Sequence, residues 1–316
     1  MSVCCRVAHP HLLLKALAVL TITKNAWVTM EFTETNVSLH VEGVDQSATA
    51  AAVIHKVLFS EYVASPVRFT VHLGMLRNAL LMGGQNLSTS LGYMNTMLVY
   101  PKSDAKLLVE LEDGNVAFRS MLATRPVRES PLDLRFTHAR VINQMTMRGD
   151  VTRDAIEDLI TAQCTRAVVI LDPEDGVTLR GEDSPFGTVT VHIPRDADAI
   201  LSSRSDNVRA QTRVVQSHLA LACGVYPGNK LWRSTPSSST GADSLLSMGN
   251  GIGGGIPQPG VGGFEHLIFQ INERRQLSVL HLPRDPSVTV AVTMVVSPLC
   301  DVFDEWESAV DSGGNV

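Results

Sequence analysis

Four times along the chain a short strand is followed by one amphipathic helix and then by three more strands. In the first unit Val3 to Val7 reads as a strand, and Pro10 to Leu20 carries Leu12, Leu13, Ala16, Leu17 and Leu20 on one helical face. Strand-like runs follow at Trp27 to Phe32, Val37 to Val41 and Ala48 to Ile54. The second unit opens with Val67 to Leu73 and a helix over Met75 to Met82, whose inward residues are Met75, Leu76, Ala79 and Leu80. Its strands are Met94 to Tyr100, Lys106 to Glu112 and Val116 to Met121, the last two joined by the hairpin turn Glu112-Asp113-Gly114-Asn115. A helix with one apolar stripe must bury it against another layer, so each unit is expected to lay its helix on its own strands.

The second half repeats the order. Leu134 to Met147 is extended, a helix capped by Asp150 runs to Ile160 with Ala155, Ile156, Leu159 and Ile160 inward, and strands follow at Ala167 to Leu171, Val177 to Leu179 and Val189 to Ile193. The fourth unit has a strand over Val208 to Ser217, a short helix near Leu219 to Cys223, and strands at Leu267 to Asn272, Leu277 to Leu282 and Val288 to Val296. Two pairs of units predict an α+β fold of two similar domains. The expected boundaries are 1–123 for the first domain, 124–132 for a connector and 133–300 for the second domain.

Within the fourth unit, residues 234–263 hold nine Gly, six Ser and three Pro with Asp243 as the sole charge. Such a segment buries too little apolar surface to offset its ordering entropy, and it reads as a flexible surface insertion. Gly249, Gly251 and Gly254 match a dinucleotide-loop spacing, but that loop must open a helix, and Pro257 and Pro259 follow instead. Residues 301–316 carry Asp301, Asp304, Glu305, Glu307 and Asp311 without a base and read as an acidic disordered tail, with Trp306 as a candidate short-motif anchor.

That tail also explains the charge. The net value is −6, yet residues 1–300 carry 26 basic against 27 acidic side chains, and between Arg119 and Arg148 six arginines face only Glu129 and Asp133. The charge is segregated, which suits a surface that meets an anionic partner. At 44% apolar residues a sizeable core is available, and no apolar run reaches the roughly 18 residues of a membrane helix, so a soluble intracellular protein with no membrane partner is expected. Five scattered cysteines without a Cys-x-x-Cys pair argue against a disulfide scaffold or a structural zinc site.

Enzyme signatures are absent from the sequence: it has no Gly-x-Ser-x-Gly elbow, no His-Glu-x-x-His and no phosphate-cradling Gly-x-x-x-x-Gly-Lys-Ser/Thr loop. His9 and His11 flank Pro10 without nearby carboxylates and read as solvated junction residues. Asp154, Glu157 and Asp158 are spaced as the wet face of a helix rather than as a Mg²⁺ site. No cofactor, metal or catalytic residue is expected.

The four units across two domains resemble a DNA sliding clamp of the proliferating cell nuclear antigen type, in which helices line a central hole. Local residues narrow the resemblance. Ser184-Pro185-Phe186-Gly187, followed by Ile193-Pro194-Arg195-Asp196-Ala197-Asp198, is similar to a pattern of the Rad-one subunit family of the nine-one-one checkpoint clamp, with Ile193 where the family has Tyr and Arg195 where it has Lys. Thr23-Lys24-Asn25 and Val141-Ile142-Asn143-Gln144 match in the same order. The resemblance covers roughly residues 2–299 apart from the insertion.

It implies a non-catalytic subunit of a heterotrimeric ring that encircles double-stranded DNA in the nucleus. Its partners would be two other clamp subunits, a clamp loader, and repair or signalling proteins. Alternatives are a replicative homotrimeric clamp, a metal-dependent 3′–5′ exonuclease, and a peptide-binding adaptor. On the clamp topology Lys15 and Arg77, opposite the apolar stripes of their helices, would face DNA phosphates, and Arg153 would do so beside the acidic residues of its helix. A groove for partner peptides would lie between Val127 of the connector and the exit segment, formed by Val296, Pro298 and Leu299.

Overall fold

The computed structural model describes residues 2–23, 25–43, 45–82, 95–101, 105–113, 116–127, 132–205, 208–225, 264–285 and 290–299. The insertion at 234–263, the tail at 301–316 and connector residues 128–131 lie outside the described residues.

The first half runs β1 (Val3–Val7), α1 (Pro10–Val19), β2 (Trp27–Phe32), β3 (Asn36–Glu42), β4 (Ala48–His55), β5 (Phe59–Ala64), β6 (Val67–His72), α2 (Leu73–Leu81), β7 (Asn95–Tyr100), β8 (Lys106–Asp113) and β9 (Val116–Pro126). The second half runs β10 (Val141–Arg148), α3 (Gly149–Thr161), β11 (Arg166–Asp172), β12 (Gly176–Glu182), β13 (Val189–Pro194), β14 (Ile200–Ser205), β15 (Ala210–Val215), α4 (Gln216–Ala222), β16 (His266–Asn272), β17 (Leu277–Leu282) and β18 (Val290–Val296). All four expected units are present.

Every ladder is antiparallel, and the two halves share one sheet. β18 pairs with β4 from Val290 opposite Ile54 to Val296 opposite Ala48, so the sheet crosses the seam between the halves without a break. Alternation on β18 turns Val290, Val292, Met294 and Val296 inward, and each is buried. α1 and α2 pack on each other, as do α3 and α4, while α1 and α4 both rest on β18. The helices therefore form a row across the seam. α1 is buried almost all round: Leu14, Ala18 and Val19 are covered as well as the expected stripe, leaving His11 exposed and Lys15 half-buried.

Several elements differ from expectation for local reasons. β5 and β14 are additional strands; Ser60, Glu61, Ser202 and Arg204 dilute their apolar alternation, as suits strands at a sheet margin. β9 continues to Pro126 because its last residues change partner, pairing Thr124, Arg125 and Pro126 with β6. There Arg125 lies over the Trp27 ring at 3.7 Å, a cation–π contact that holds the strand end down. α2 starts at Leu73, where the His72 Nδ1 accepts a hydrogen bond from the Met75 amide, and Met75 is turned outward rather than inward. α3 starts one residue before Asp150, which sits in the first turn and pairs with Arg148 instead of capping.

Past the connector the chain is stapled to both halves. The Leu132 amide donates to Glu42 Oε1 at 2.6 Å, and the Leu134 and Phe136 carbonyls accept from Gln276 Nε2 and Asn272 Nδ2.

Candidate functional site

Three surfaces bear on function: the helix side, the open strand edges, and the outer seam beside the connector. On the helix side, the Lys15 ammonium donates to Glu265 Oε1 at 2.7 Å and lies 6.0 Å from the centre of the Phe264 ring. Glu265 Oε2 accepts the Arg284 amide at 3.3 Å, and the Glu265 carbonyl accepts the Gly149 amide at 2.7 Å. Partial burial opposes ionisation of Glu265, but the Lys15 hydrogen bond and charge, with the backbone amides, outweigh it and keep its carboxyl below the ordinary range. Arg77 Nη1 donates to Thr21 Oγ1 at 3.0 Å, tying α2 to the end of α1.

Arg153 is placed differently from its expected outward position. Its Nη1 donates to the Phe264 carbonyl at 3.2 Å, and burial lowers its pKa, so the guanidinium packs inward instead of meeting solvent. Two buried groups, Cys223 and His281, each lie near it. Burial pushes the Cys223 thiol up to about 12 and the His281 imidazole down to about 4, while His281 Nε2 contacts the Ala222 carbonyl at 2.7 Å. Asp154 and Asp158 are exposed on α3, with Glu157 half-buried beside them, and among the described residues no three metal-ligating side chains converge.

Several strands have a partner on one side only, β5, β14 and β15 among them, and two further open edges bear on assembly. β9 pairs with β8 along Val116–Ala123 and meets β6 only beyond it, so one side of that stretch has no partner strand. Met121 on it is 72% exposed, and the exposed Met82, just after α2, accepts a hydrogen bond from Ser120 Oγ of β9. β13 pairs only with β12 and ends the four-stranded sheet of the second half. Val189 and Val191 line it, and Phe186 just before it is 74% exposed. Unpaired backbone groups flanked by exposed apolar side chains are sites for adding a strand.

At the outer seam Pro298 and Leu299 are half-buried, the Leu299 amide donating to the Arg213 carbonyl, whereas the half-buried Val127 follows the end of β9 beside β6, with β2, β3 and β4 between it and β18. Val296 does not reach the surface: it is fully buried opposite Ala48, because the alternation of β18 points it into the core. The exit segment therefore offers Pro298 and Leu299 alone. Nearby, Asp45, Ser47 and His218 meet across the halves. Ser47 Oγ donates to Asp45 Oδ2 at 2.8 Å, and His218 places Nδ1 3.2 Å from Ser47 Oγ and Nε2 3.3 Å from Asp45 Oδ2. With the serine hydrogen committed to the carboxylate, this group ties the turn before β4 to α4 rather than forming a nucleophile and base.

Sequence reasoning names Lys15 and Arg77 as candidates but not their neighbours Glu265 and Thr21, nor His218 or Asp45. These partners lie 56 to 250 residues from the side chains they meet, and no local spacing encodes such pairs.

A row of four helices over a sheet continuous through two like halves defines a sliding-clamp fold. The structure is similar to that of proliferating cellular nuclear antigen from Entamoeba histolytica, with a TM-score of 0.70 at 9% identity, covering 95% of this chain and 99% of that one. No curated protein matches the sequence. The family model described as repair protein Rad1/Rec1/Rad17 matches residues 5–224, and the chain belongs to that family.

Proposed function

We propose that this chain is one non-catalytic subunit of a heterotrimeric ring that encircles duplex DNA and serves as a platform for damage signalling and repair in the nucleus. The observation that carries the reading is the helix row over a sheet continuous through both halves, with β9 and β13 each open on one side beside the exposed Met121 and Phe186. Two unlike edges suit head-to-tail closure of a ring, in which one edge of a subunit meets the other edge of the next, and the choice of two different neighbours follows the resemblance to the checkpoint-clamp family. A ring closed through these edges leaves the helix row facing the hole, with Lys15 and Arg77 as the side chains nearest to phosphate duty and Arg153 supporting from behind.

Membership of a repair-protein family supports the damage role over the replicative alternative. A clamp loader would open one of the two edges, and partner peptides would dock beside the Pro298-Leu299 exit.

Retention on closed DNA tests the proposal. The assembled complex, loaded onto a nicked circular plasmid, should stay bound through a high-salt wash and slide off once the plasmid is cut. Equal loss from circular and linear DNA would refute encirclement, and DNA degradation that purifies with the complex and disappears in Asp154→Ala or Asp158→Ala would refute the non-catalytic role.

A further inference from the structure

A cavity of about 520 Å³ opens beside the first turn of α3, lined by Arg148, Asp150, Arg153, Glu265, His266 and Arg284. Two of its cations are already engaged. Arg148 chelates Asp150 with Asp198 nearby, and Arg153 is turned onto the Phe264 carbonyl with Asp154 nearby. What remains at the mouth is a donor set gathered on one carboxylate. Glu265 takes the Lys15 ammonium on one oxygen and the Arg284 amide on the other, and the Arg284 side chain is exposed beside it. A cation and a backbone N–H converging on two oxygens of one anion is the donor pattern that also recognises a phosphate oxyanion.

Glu265 is also placed to give way. Its side chain is 44% exposed, while Lys15 is 23% exposed and held by α1, so the carboxylate is the freer partner of the pair. The rest of α3 repels a phosphodiester, since it presents Asp154, Glu157 and Asp158. We propose that Glu265 is an internal stand-in for a backbone phosphate of duplex DNA: it occupies the donors of Lys15 and Arg284 in the free ring, and a phosphate takes the same donors when the carboxylate swings aside. This rests on the reading that the helix row faces DNA. Glu265 thus limits DNA affinity, so that a ring loaded at one site remains free to slide.

The test uses the assembled ring and short duplex DNA at several salt concentrations. Glu265→Gln keeps the shape and removes the charge. It should tighten binding by on the order of threefold to tenfold at low salt and steepen the salt slope by about one, as one more phosphate contact would. Adding Lys15→Ala should cancel both changes. Acylation footprinting gives a second readout in the wild-type ring, where DNA should protect Lys15 from labelling, and in the variant, where Lys15 should label faster without DNA.

Unchanged or weaker binding by Glu265→Gln, in a ring that otherwise binds and retains DNA, would overturn the stand-in and leave Glu265 as a tie between the halves. A wild-type ring that neither binds nor retains DNA would instead overturn the ring reading. Inorganic phosphate alone, at matched ionic strength, should not protect Lys15; protection would assign the site to a free anion and overturn the DNA assignment.

Discussion

Val296 sits directly opposite Ala48 in the ladder that joins β18 to β4, and both side chains are fully buried. The last strand among the described residues thus completes a sheet begun in the first fifty residues. The two halves are joined by a hydrogen-bonded ladder as well as by the connector.

It follows that a core truncation in β18 destabilises both halves together. Met294 is fully buried and lies opposite Ala50. Met294→Ala should lower stability by about 2–5 kcal/mol, the usual cost of removing a buried side chain of this size. Urea unfolding followed by fluorescence and by circular dichroism should shift to lower midpoint in one coincident transition. Two separate transitions would show that the ladder does not couple the halves.

Gly149 marks a place where backbone approaches backbone. A Cβ there would lie 2.5 Å from the Phe264 carbonyl oxygen and 2.8 Å from Arg153 Nη1. The same residue donates its amide to the Glu265 carbonyl. Gly149→Ala should therefore cost about 1–3 kcal/mol, as overpacking does, and loosen the Lys15–Glu265 contact. A thermal midpoint equal to that of the wild type would contradict this close approach.

How much of this was legible beforehand depends on range. The four helices and most strands follow from local periodicity, as in α3, where Ala155, Ile156 and Leu159 are buried as expected. Met75 was misplaced because its helix begins two residues earlier, at Leu73, and the buried set becomes Leu73, Leu76, Ala79 and Leu80. Val296 was assigned to a groove because the seam that buries it is made with β4, which no local pattern reveals. Arg153 looked solvent-facing on a helical wheel, but its outward-pointing position is covered by Phe264, a residue 111 positions away.

Acid should weaken the fold through His281. Its folded pKa, pushed down to about 4 by burial and by the nearby Arg153, lies below the ordinary value of 6.5. Between those values the unfolded chain takes up a proton that the folded chain refuses, so stability is full above about pH 6.5 and falls as the pH drops toward 4. His281→Gln removes that proton and should flatten this part of the stability profile relative to the wild type, measured by urea midpoints from pH 7.5 to 4.5. Parallel wild-type and variant profiles would remove His281 as a cause.

Assembly should respond to the β9 edge more than folding does. Met121→Asp changes an exposed residue on the open strand, so the isolated chain should keep its stability to within about 0.5 kcal/mol. Mixing the variant with its partner subunits should leave a smaller fraction in the complete ring by native mass spectrometry. Full incorporation would place the interface elsewhere.

The central claim is that this chain closes a ring with two different neighbours, and the mass and composition of the native complex isolated through this chain test it most directly. The account predicts one copy of this chain with one copy each of two other clamp-fold subunits. Three copies of this chain, or a chain that remains alone, would contradict it.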